Sequence, residues 1–280
     1  MRLCVLGSGS GGNCSLLILD QGGEPRFVLI DLGLSPRATA ARLKPLGVTL
    51  SQISAALITH FDTDHFYPTW PALVARHNIT LHVHRRHRQA ALSTGLSLRH
   101  VQLHTECVSC DLCDRIDSAI FAHDQLGSAG YVIEHKNLRL GFATDLGRVS
   151  PSMFDFFSDL HALAIESNYD RAMQLASGRP AFLKRRIMGG AGHLSNEQSL
   201  DAVLQIAARS RLSHVVLLHL SRQCNDPAII KCLYARHAND LWPRVTITNQ
   251  FQATGLLQVA ANGPPARVRC RHDNQLALFA

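Results

Sequence analysis

Five apolar stretches of strand length in this 280-residue chain each run into a residue that can ligate a metal. The residues at the ends of these stretches are His60, His123, Asp145, Glu166 and His219. Short apolar runs are typical of buried strands, and ligands commonly bind beside strand ends in a sheet. A single histidine in such a place is usually a satisfied polar residue. Five strand ends of the same kind predict a sheet with an active site along one edge.

The densest group of donors follows the apolar run 55–58, in the stretch Thr59–Phe66 that reads T-H-F-D-T-D-H-F. Four of its side chains offer an imidazole nitrogen or a carboxylate oxygen: His60, Asp62, Asp64 and His65. Both groups are common metal ligands, and four of them in six positions could bind two ions rather than one. The alternative is a polar turn in which Asp64 caps a helix.

Strand-like segments with helices between them are predicted along the whole chain. The clearest helix begins at Ser195, a good N-cap, and others are expected over Pro36–Leu46 and Arg85–Leu92. Apolar runs predict strands at residues 2–6, 14–20, 27–30, 55–58, 79–83, 101–103, 116–122, 130–134, 138–143, 162–165, 215–218, 245–248 and 256–259.

The glycine-rich stretch Gly7–Asn13 contains G-x-G-x-x-G, the spacing of a dinucleotide-binding loop. In a dinucleotide-binding fold a helix follows this loop, whereas the segment 14–20 is strand-like. We therefore predict a hairpin-type loop, whose backbone amides could approach a substrate phosphate.

The charge of the chain favours an anionic partner, with nucleic acid first. The formal net charge is +7, and the isoelectric point is about 9.2. Basic residues cluster in Arg85–Arg88 and Lys184–Arg186, although a short basic run is often only the solvated face of a helix. The apolar runs are too short to cross a bilayer, and the N-terminal one is too short for a secretory signal. A cytoplasmic location without membrane contact is expected.

The eight cysteines are too few and too scattered for a disulfide scaffold. Three of them form the motif Cys107-x-x-Cys110-x-x-Cys113, and His104 precedes it by three residues. These four side chains could form a small structural zinc site, because thiolates and imidazole suit tetrahedral zinc. The alternative is free thiols in a loop.

Several motifs together resemble the metallo-β-lactamase superfamily, and the resemblance covers nearly the whole chain. The metal motifs that carry it are His60-x-Asp62-x-Asp64-His65, His123, Thr144-Asp145 and His219. Finer landmarks are similar to the YycJ/WalJ subgroup, whose members are exonucleases related to ribonuclease Z. These landmarks are His123-Asp124, Glu166–Asp170, Leu183–Ile187, Gly192–Asn196 and Leu218–Ser221.

The resemblance implies an α/β fold of the αββα type. In that fold two mixed sheets pack face to face, helices cover them, and a dinuclear metal site lies at one edge. One metal would be held by His60, Asp62 and His123, and the other by Asp64, His65 and His219. Asp145 would bridge the two metals. The catalytic residues would be Asp64, His193 as a proton donor or phosphate contact, and Glu166, which would orient His193.

Asp62 departs from the family pattern, which commonly has a histidine at this position. A carboxylate adds negative charge and shifts the preference toward harder ions. The expected cofactors are therefore two divalent ions, zinc or manganese, with iron also possible.

The hydrolase domain is predicted to span residues 1–260, and residues 261–280 are predicted to form a flexible tail. The tail begins with a Pro- and Gly-containing linker and ends with Q-L-A-L-F. This peptide resembles the motif that docks bacterial DNA enzymes on the replication sliding clamp. Its contacts would come from Gln275, Leu276, Leu278 and Phe279. The alternative is a last strand or helical turn that packs on its own domain.

The leading hypothesis is a metal-dependent phosphodiesterase that degrades DNA as an exonuclease in replication or repair. One alternative is a ribonuclease of the ribonuclease Z kind, with RNA as the substrate. Another is an ester hydrolase of the glyoxalase II kind, which would not need a basic surface. The third is a non-catalytic, clamp-bound DNA-binding subunit in which Asp62 has reduced metal binding.

Overall fold

The computed structural model describes residues 1–109 and 111–261, and within them thirteen strands form two sheets. In chain order the strands are β1 (Arg2–Gly7), β2 (Cys14–Gln21), β3 (Glu24–Ile30), β4 (Ile53–Ile58), β5 (Thr80–His84), β6 (Val101–His104), β7 (Arg115–Phe121), β8 (Ser128–His135), β9 (Leu138–Ala143), β10 (Ala162–Glu166), β11 (His214–Leu218), β12 (Val245–Ile247) and β13 (Leu257–Gln258). Each predicted strand is present. Its ends agree with the prediction to within two residues, except that β3 begins three residues before its predicted start.

Both sheets are mixed, as expected. The first has the order β13-β1-β2-β3-β4-β5-β6, antiparallel from β13 to β3 and parallel from β3 to β6. The second has the order β12-β11-β10-β9-β8-β7, parallel from β12 to β9 and antiparallel from β9 to β7. In each sheet the carboxyl ends of the parallel strands therefore lie along one edge.

Helices cover the outer faces of the sheets. They are α1 (Pro36–Leu43), α2 (Trp70–His77), α3 (Arg88–Ser93), α4 (Pro151–Phe156), α5 (Arg171–Ala176), α6 (Ala181–Met188), α7 (Asn196–Ala207) and α8 (Pro227–His237). Short 3₁₀ segments lie at Lys44–Leu46, Leu50–Gln52, Arg85–His87, Leu98–His100 and Trp242–Arg244. The two predicted helices Pro36–Leu46 and Arg85–Leu92 each divide into an α and a 3₁₀ part.

The core consists of three apolar layers, which establish the αββα order. The central layer contains residues of both sheets, such as Leu57 and Phe142. One outer layer packs Trp70 of α2 on the first sheet. The other packs Leu200 of α7 and Ile230 of α8 on the second sheet. Alternate strand residues point to opposite faces, so each sheet buries one face against the other sheet and one against helices.

Helix α7 begins where the sequence predicted. The Ser195 hydroxyl accepts from the amide of Gln198, and the Gln198 side chain accepts from the amide of Ser195. This reciprocal pair satisfies two amides that the helix cannot satisfy itself. Helices α5 and α6 were not predicted, because both are short and follow turn residues. The basic run Lys184–Arg186 lies on α6.

The glycine-rich loop joins the antiparallel strands β1 and β2, which confirms that it is not a dinucleotide-binding loop. Its amides already have protein acceptors: Gly9 donates to the Asn13 side chain at 2.8 Å, and Gly11 donates to the Gln250 side chain at 2.7 Å. Gly12 has φ +132°, and a Cβ there would lie 2.5 Å from the Gly33 carbonyl oxygen. The loop thus needs glycine for close backbone packing, and these amides are not available to a phosphate.

Two sequence predictions fall on residues outside the described part. Cys110 of the cysteine motif is one of them, and Gln275–Phe279 of the tail is the other. Among the described residues, no helix is both long enough and apolar enough to span a membrane.

Candidate metal centre

Loops from both sheets meet at one edge of the sandwich. In the second sheet, Glu166 at the end of β10 pairs in register with Leu218 of β11, so Glu166 and His219 lie side by side. The first sheet contributes the loop after β4. Two bonds join the sheets here: Ala129 N donates to the Thr59 carbonyl at 2.9 Å, and the Tyr131 hydroxyl donates to the Ile58 carbonyl at 2.7 Å. The predicted ligands, from opposite ends of the sequence, thus share one site.

The predicted ligand residues form two groups that meet at a shared carboxylate. His60, Asp62 and His123 place donor atoms within 4.8 Å of one another. Asp64, His65 and His219 do the same. Asp145 belongs to further groups of this kind, one with His60 and His65 and one with His219, Glu166 and His193. The structure therefore brings together every ligand residue that the sequence predicted.

Asp145 lies at the middle of the site. Its Oδ2 is 2.9 Å from His65 Nε2 and 3.0 Å from His219 Nδ1, and its Oδ1 is 3.8 Å from His123 Nε2. Asp145 and His219 both have left-handed backbones, with φ of +55° and +54°. Non-glycine residues in this conformation are strained and tend to cluster at functional sites.

In His60, His65 and His123 the Nδ1 atom contacts a neighbouring protein group, so the Nε2 atom faces the centre of the site. The Nδ1 atom of His65 donates to Asp31 Oδ2 at 2.7 Å, and that of His123 donates to the Gly192 carbonyl at 2.9 Å. His60 Nδ1 lies 3.0 Å from the Thr59 hydroxyl. The buried Nε2 of His60 has no hydrogen-bond partner among the described residues. A buried polar atom without a partner is costly, and a metal ion would satisfy it. The donor set therefore fits a divalent metal.

The electrostatics of the site suit metal binding. Burial alone would raise the pKa of Asp145, but the charges of His219 and His65 outweigh it and hold that pKa well below its usual range. Burial keeps the pKa of His60 well below its ordinary value. Asp145 is thus ionised and His60 is neutral, which are the protonation states in which these groups ligate a metal. Burial would lower the pKa of His65 and of His219, but the Asp145 carboxylate outweighs it and raises both, so a metal that binds here would displace protons from these two rings.

His193 lies against Glu166 beside the donor groups. Its Nδ1 donates to Glu166 Oε1 at 2.7 Å. The other oxygen of Glu166 accepts from the amides of Leu146 at 2.8 Å and Leu194 at 3.1 Å. Burial would lower the pKa of His193, but the Glu166 carboxylate outweighs it and raises that pKa. Glu166 is fully buried and held by backbone, so it fixes the orientation of His193.

Asp62 is the most exposed member of the donor set. Its side chain is 56% exposed, and its Oδ2 lies 3.9 Å from His60 Nε2. Burial of the remainder raises the pKa of this carboxyl. Asp62, which stands where the family commonly has a histidine, therefore still offers an oxygen donor beside His60.

Two residues that orient the site were not predicted. Asp31 lies behind His65, at Nδ1, whereas the side-chain nitrogen of Asn13 lies 2.9 Å from the other ring nitrogen, Nε2. The backbone amide of Asn13 donates to the Asp64 carbonyl at 2.7 Å and holds the backbone of the metal loop. Asp31 follows β3 directly, so it carries the same strand-end signal as the predicted ligands. Asn13 follows a glycine-rich turn and carries no comparable signal.

Two clefts open over the site. The first, of about 460 Å³, is lined by Phe61, His87 and Leu126. The second, of about 450 Å³, is lined by Asp64, His219, His193 and Arg179. Both clefts reach Asp62 and His123, so a chain-like substrate could cross the centre.

The cysteine motif is not part of this site. Cys107 is exposed and Cys113 is half-buried. The clusters of potential ligands found among the described residues all lie at the sheet edge. Because Cys110 lies outside those residues, an additional zinc ion remains a prediction.

Comparisons with known proteins agree with this fold. Residues 26–220 match the family model described as the beta-lactamase superfamily domain. Exodeoxyribonuclease YycJ of Bacillus anthracis is 27% identical over 235 residues, covering 80% of this chain and 84% of the relative. Exodeoxyribonuclease WalJ of Streptococcus pneumoniae is 28% identical over 231 residues, covering 80% and 83%.

A solved structure gives the same fold. The metallo-beta-lactamase fold protein YhfI from Bacillus subtilis superposes with a TM-score of 0.66 at 13% identity, covering 90% of this chain and 98% of that one. The family match spans most of the chain, and the histidine and carboxylate donors converge where the two sheets meet. This chain therefore belongs to the beta-lactamase superfamily domain family and is a metal-dependent hydrolase of the metallo-β-lactamase fold.

Proposed function

We propose that this protein is a DNA exonuclease, a phosphodiesterase that acts in replication or repair and uses two divalent metal ions. The observation that carries the proposal is the meeting of two three-residue donor groups at the single carboxylate of Asp145. Two such groups around a bridge are the arrangement that a two-metal phosphodiesterase needs. The names of the two curated relatives point to DNA as the substrate.

In this proposal His60, Asp62 and His123 would hold one ion, and Asp64, His65 and His219 would hold the other. Asp145 would contribute its carboxylate to both groups. Bound metals of this kind would supply a nucleophilic hydroxide near neutral pH and charge stabilisation for a phosphoryl group. Asp64 would serve the reaction through the second ion, since its Oδ2 lies 3.3 Å from His219 Nε2 within the second donor group.

The chain's own residues supply the proton chemistry. Glu166 accepts from Nδ1 of His193, so Nε2 of that ring is the nitrogen available to substrate. His193 lines the second cleft and can give a proton to the leaving oxygen or contact a phosphate. Glu166 acts through His193, as carboxylates commonly orient functional histidines.

The metal preference is expected to follow Asp62. Carboxylate oxygens favour hard ions, so replacing the family's usual histidine with aspartate moves the preference from zinc toward manganese or iron. The 56% exposure of the Asp62 side chain predicts that this ligand exchanges more readily than the buried histidines.

The decisive experiment measures metal content and nuclease specificity on the same preparation. Metal per chain is counted by mass spectrometry, and single-stranded DNA, double-stranded DNA and RNA, labelled at the 5′ or 3′ end, are digested with manganese, zinc or magnesium. We expect two ions per chain, shortening of DNA from one end, and loss of both in Asp64→Ala. Asp240→Ala, which alters an exposed carboxylate after α8, is the matched control.

Each other outcome points to a different function. Cleavage of RNA alone would replace the proposal with a ribonuclease of the ribonuclease Z kind. Hydrolysis of thioesters without cleavage of nucleic acid would indicate a glyoxalase II-like enzyme. One ion or none, with DNA binding but no cleavage, would indicate a non-catalytic DNA-binding subunit.

A further inference from the structure

Arg179 lies in the wall of the second cleft and has no acidic partner among the described residues. Its Nη1 donates to the Gln174 side-chain oxygen at 3.0 Å. Its Nη2 lies 3.3 Å from the Gln223 side-chain oxygen and 3.5 Å from the Ser221 hydroxyl. Gln174 is fully buried, so the guanidinium is held on a rigid support by neutral acceptors. Its positive charge is thus positioned but not neutralised.

Arg186, in the same cleft, is a useful contrast. Its guanidinium makes two contacts with the Asp124 carboxylate, at 2.6 Å and 3.3 Å. Paired in this way, Arg186 offers less net charge to an anion than Arg179 does. Arg179 is therefore the better candidate for a substrate phosphate.

A second arginine lies on the loop that carries His219. Arg222 follows Ser221, and its guanidinium lies over the ring of Phe251, with Cζ 4.9 Å from the ring centroid. Phe251 is 66% exposed. Exposed aromatic rings beside arginine guanidinium groups are typical platforms for the stacking of unpaired bases.

The platform is fastened to the border of the cleft. The amide of Phe251 donates to the Asn249 side chain at 2.8 Å. The neighbouring Gln250 side chain accepts from Gly11 and donates to the Gly12 carbonyl at 2.8 Å. Ser10, in the same glycine-rich loop, lines the second cleft. The glycine-rich loop therefore contacts Gln250, next to the Phe251 platform, and also the metal loop, through the amide of Asn13.

We propose that the segments 219–223 and 249–252 together with Arg179 form a track for one unpaired DNA strand leaving the metal centre. Arg179 binds a phosphate beside the centre, and the Arg222–Phe251 pair stacks on the base of a nucleotide farther along. The track rests on the proposed function, because it specifies how that site would hold DNA. It predicts a preference for single-stranded ends, since a base within a duplex is not free to stack on Phe251.

The stacking half of the track is tested by removing the aromatic ring of Phe251. The probe is a short, cleavage-resistant phosphorothioate oligothymidylate, and its affinity is measured by fluorescence anisotropy. Phe251→Ala should weaken binding by about 5- to 100-fold, the range for loss of one base stack. The variant and the parent should bind an abasic phosphorothioate backbone of the same length equally. Phe182→Ala removes a ring that is also 66% exposed and serves as the control.

The phosphate half is tested by the salt dependence of the same affinity. Arg179→Gln should reduce the slope of log affinity against log salt by about 0.7, the value for one phosphate contact to a single strand. Arg236→Gln, on the exposed side of α8, should leave the slope unchanged.

These results separate the track from the proposed function. Digestion of DNA by the parent protein reports on the function, and it does not depend on the variants. If the parent digests DNA while Phe251→Ala binds oligothymidylate as tightly as the parent does, the track is wrong and the function stands. An equal loss on both the oligothymidylate and the abasic backbone would also overturn the stacking role, since it would indicate a general defect.

Discussion

Asp31 holds His65 in place from behind, with Asp31 Oδ2 2.7 Å from His65 Nδ1. Both side chains are almost completely buried. The hydroxyl and amide of Thr59 also donate to the Asp31 carboxylate, at 2.8 to 3.0 Å. Asp31 itself has a left-handed backbone, with φ +59°. A buried carboxylate that accepts from Nδ1 favours the ring in which Nε2 can ligate a metal and makes that nitrogen a better ligand.

We therefore expect Asp31→Asn to weaken metal binding. Asparagine tolerates the left-handed backbone and retains an acceptor for Thr59, but it loses the charge that supports His65. The expected loss of metal affinity is about 10- to 100-fold, the range for partners of this kind. Competition with a chelator measures it. Asp117→Asn, which alters a carboxylate on the β7 surface paired with Arg115, should bind metal like the parent. Equal affinity in both variants would contradict the orienting role of Asp31.

Asp62→His should move the metal preference toward zinc. The substitution restores the family's commoner residue and replaces a hard oxygen donor with an imidazole. We expect the ratio of bound zinc to bound manganese to rise after reconstitution with both metals. The ratio is read by mass spectrometry of the desalted protein. An unchanged ratio would mean that Asp62 does not ligate the metal.

Glu166→Gln should slow the reaction without emptying the metal site. Glutamine can still accept from the amides of Leu146 and Leu194, but it no longer provides the negative charge that holds His193. The expected fall in kcat is about 10²- to 10⁴-fold, the range for loss of a positioned proton donor. Because the two residues act as one unit, His193→Gln and the double variant should show a similar loss. Additive losses would separate their roles.

His82 should contribute to loss of stability in acid. It is 2% exposed, its Nδ1 has no partner among the described residues, and burial lowers its pKa to about 4. The Asp111 carboxylate, which pairs with Arg26 at 3.0 Å, opposes this lowering in part. Below its ordinary pKa, near 6.5, the unfolded chain takes up a proton that the folded chain refuses. Stability is therefore retained above that value and decreases as the pH falls toward 4.

His82→Leu should reduce this sensitivity. Between about pH 7.5 and about pH 5, the variant should lose about 1 to 2 kcal/mol less of its free energy of unfolding than the parent. Urea unfolding at the two pH values measures the difference. His237→Leu, at an exposed site at the end of α8, should behave like the parent. Parallel losses in all three proteins would show that His82 is not responsible.

Deletion of residues 275–280 should abolish co-elution with the replication sliding clamp and leave bulk nuclease activity intact. The apolar side chains of the peptide would fill a groove on the clamp. A short peptide binds weakly, so removing these side chains should reduce the affinity for the clamp below what co-elution requires. The paired substitution of Leu278 and Phe279 by alanine should have the same effect. Unchanged co-elution in gel filtration would rule out the clamp interpretation.

Much of the centre is visible in the sequence because its ligands follow apolar strands directly. His60, His123, Asp145 and His219 each stand at the end of a run whose hydrophobicity predicts a buried strand. Parallel strands in one sheet place such ends along the same edge, so a local signal repeated several times predicts a shared location. The same signal was present at Asp31 but did not distinguish a ligand from a residue that orients one.

Other features depend on contacts between distant parts of the chain. Helices α5 and α6 are short, and their helical state depends more on packing than on intrinsic preference. Arg179, Arg222 and Phe251 belong to no sequence motif. Only their positions in the structure, beside the cleft or against each other, make them candidates for contacts with a substrate. Gly11 bonds to Gln250 across almost the whole length of the sequence.

The sequence by itself therefore determined the candidate donor residues and the alternation of strands and helices, since both depend on residue type and local periodicity. The class of the fold followed from the resemblance of its motifs to a known superfamily. Only the tertiary structure decided the distances at which the two donor groups meet at Asp145, that Asp31 supports His65, and which arginine in the cleft is left without an acidic partner among the described residues. These relations depend on distances of a few ångströms between segments far apart in the chain. Spacing along the sequence does not encode such distances.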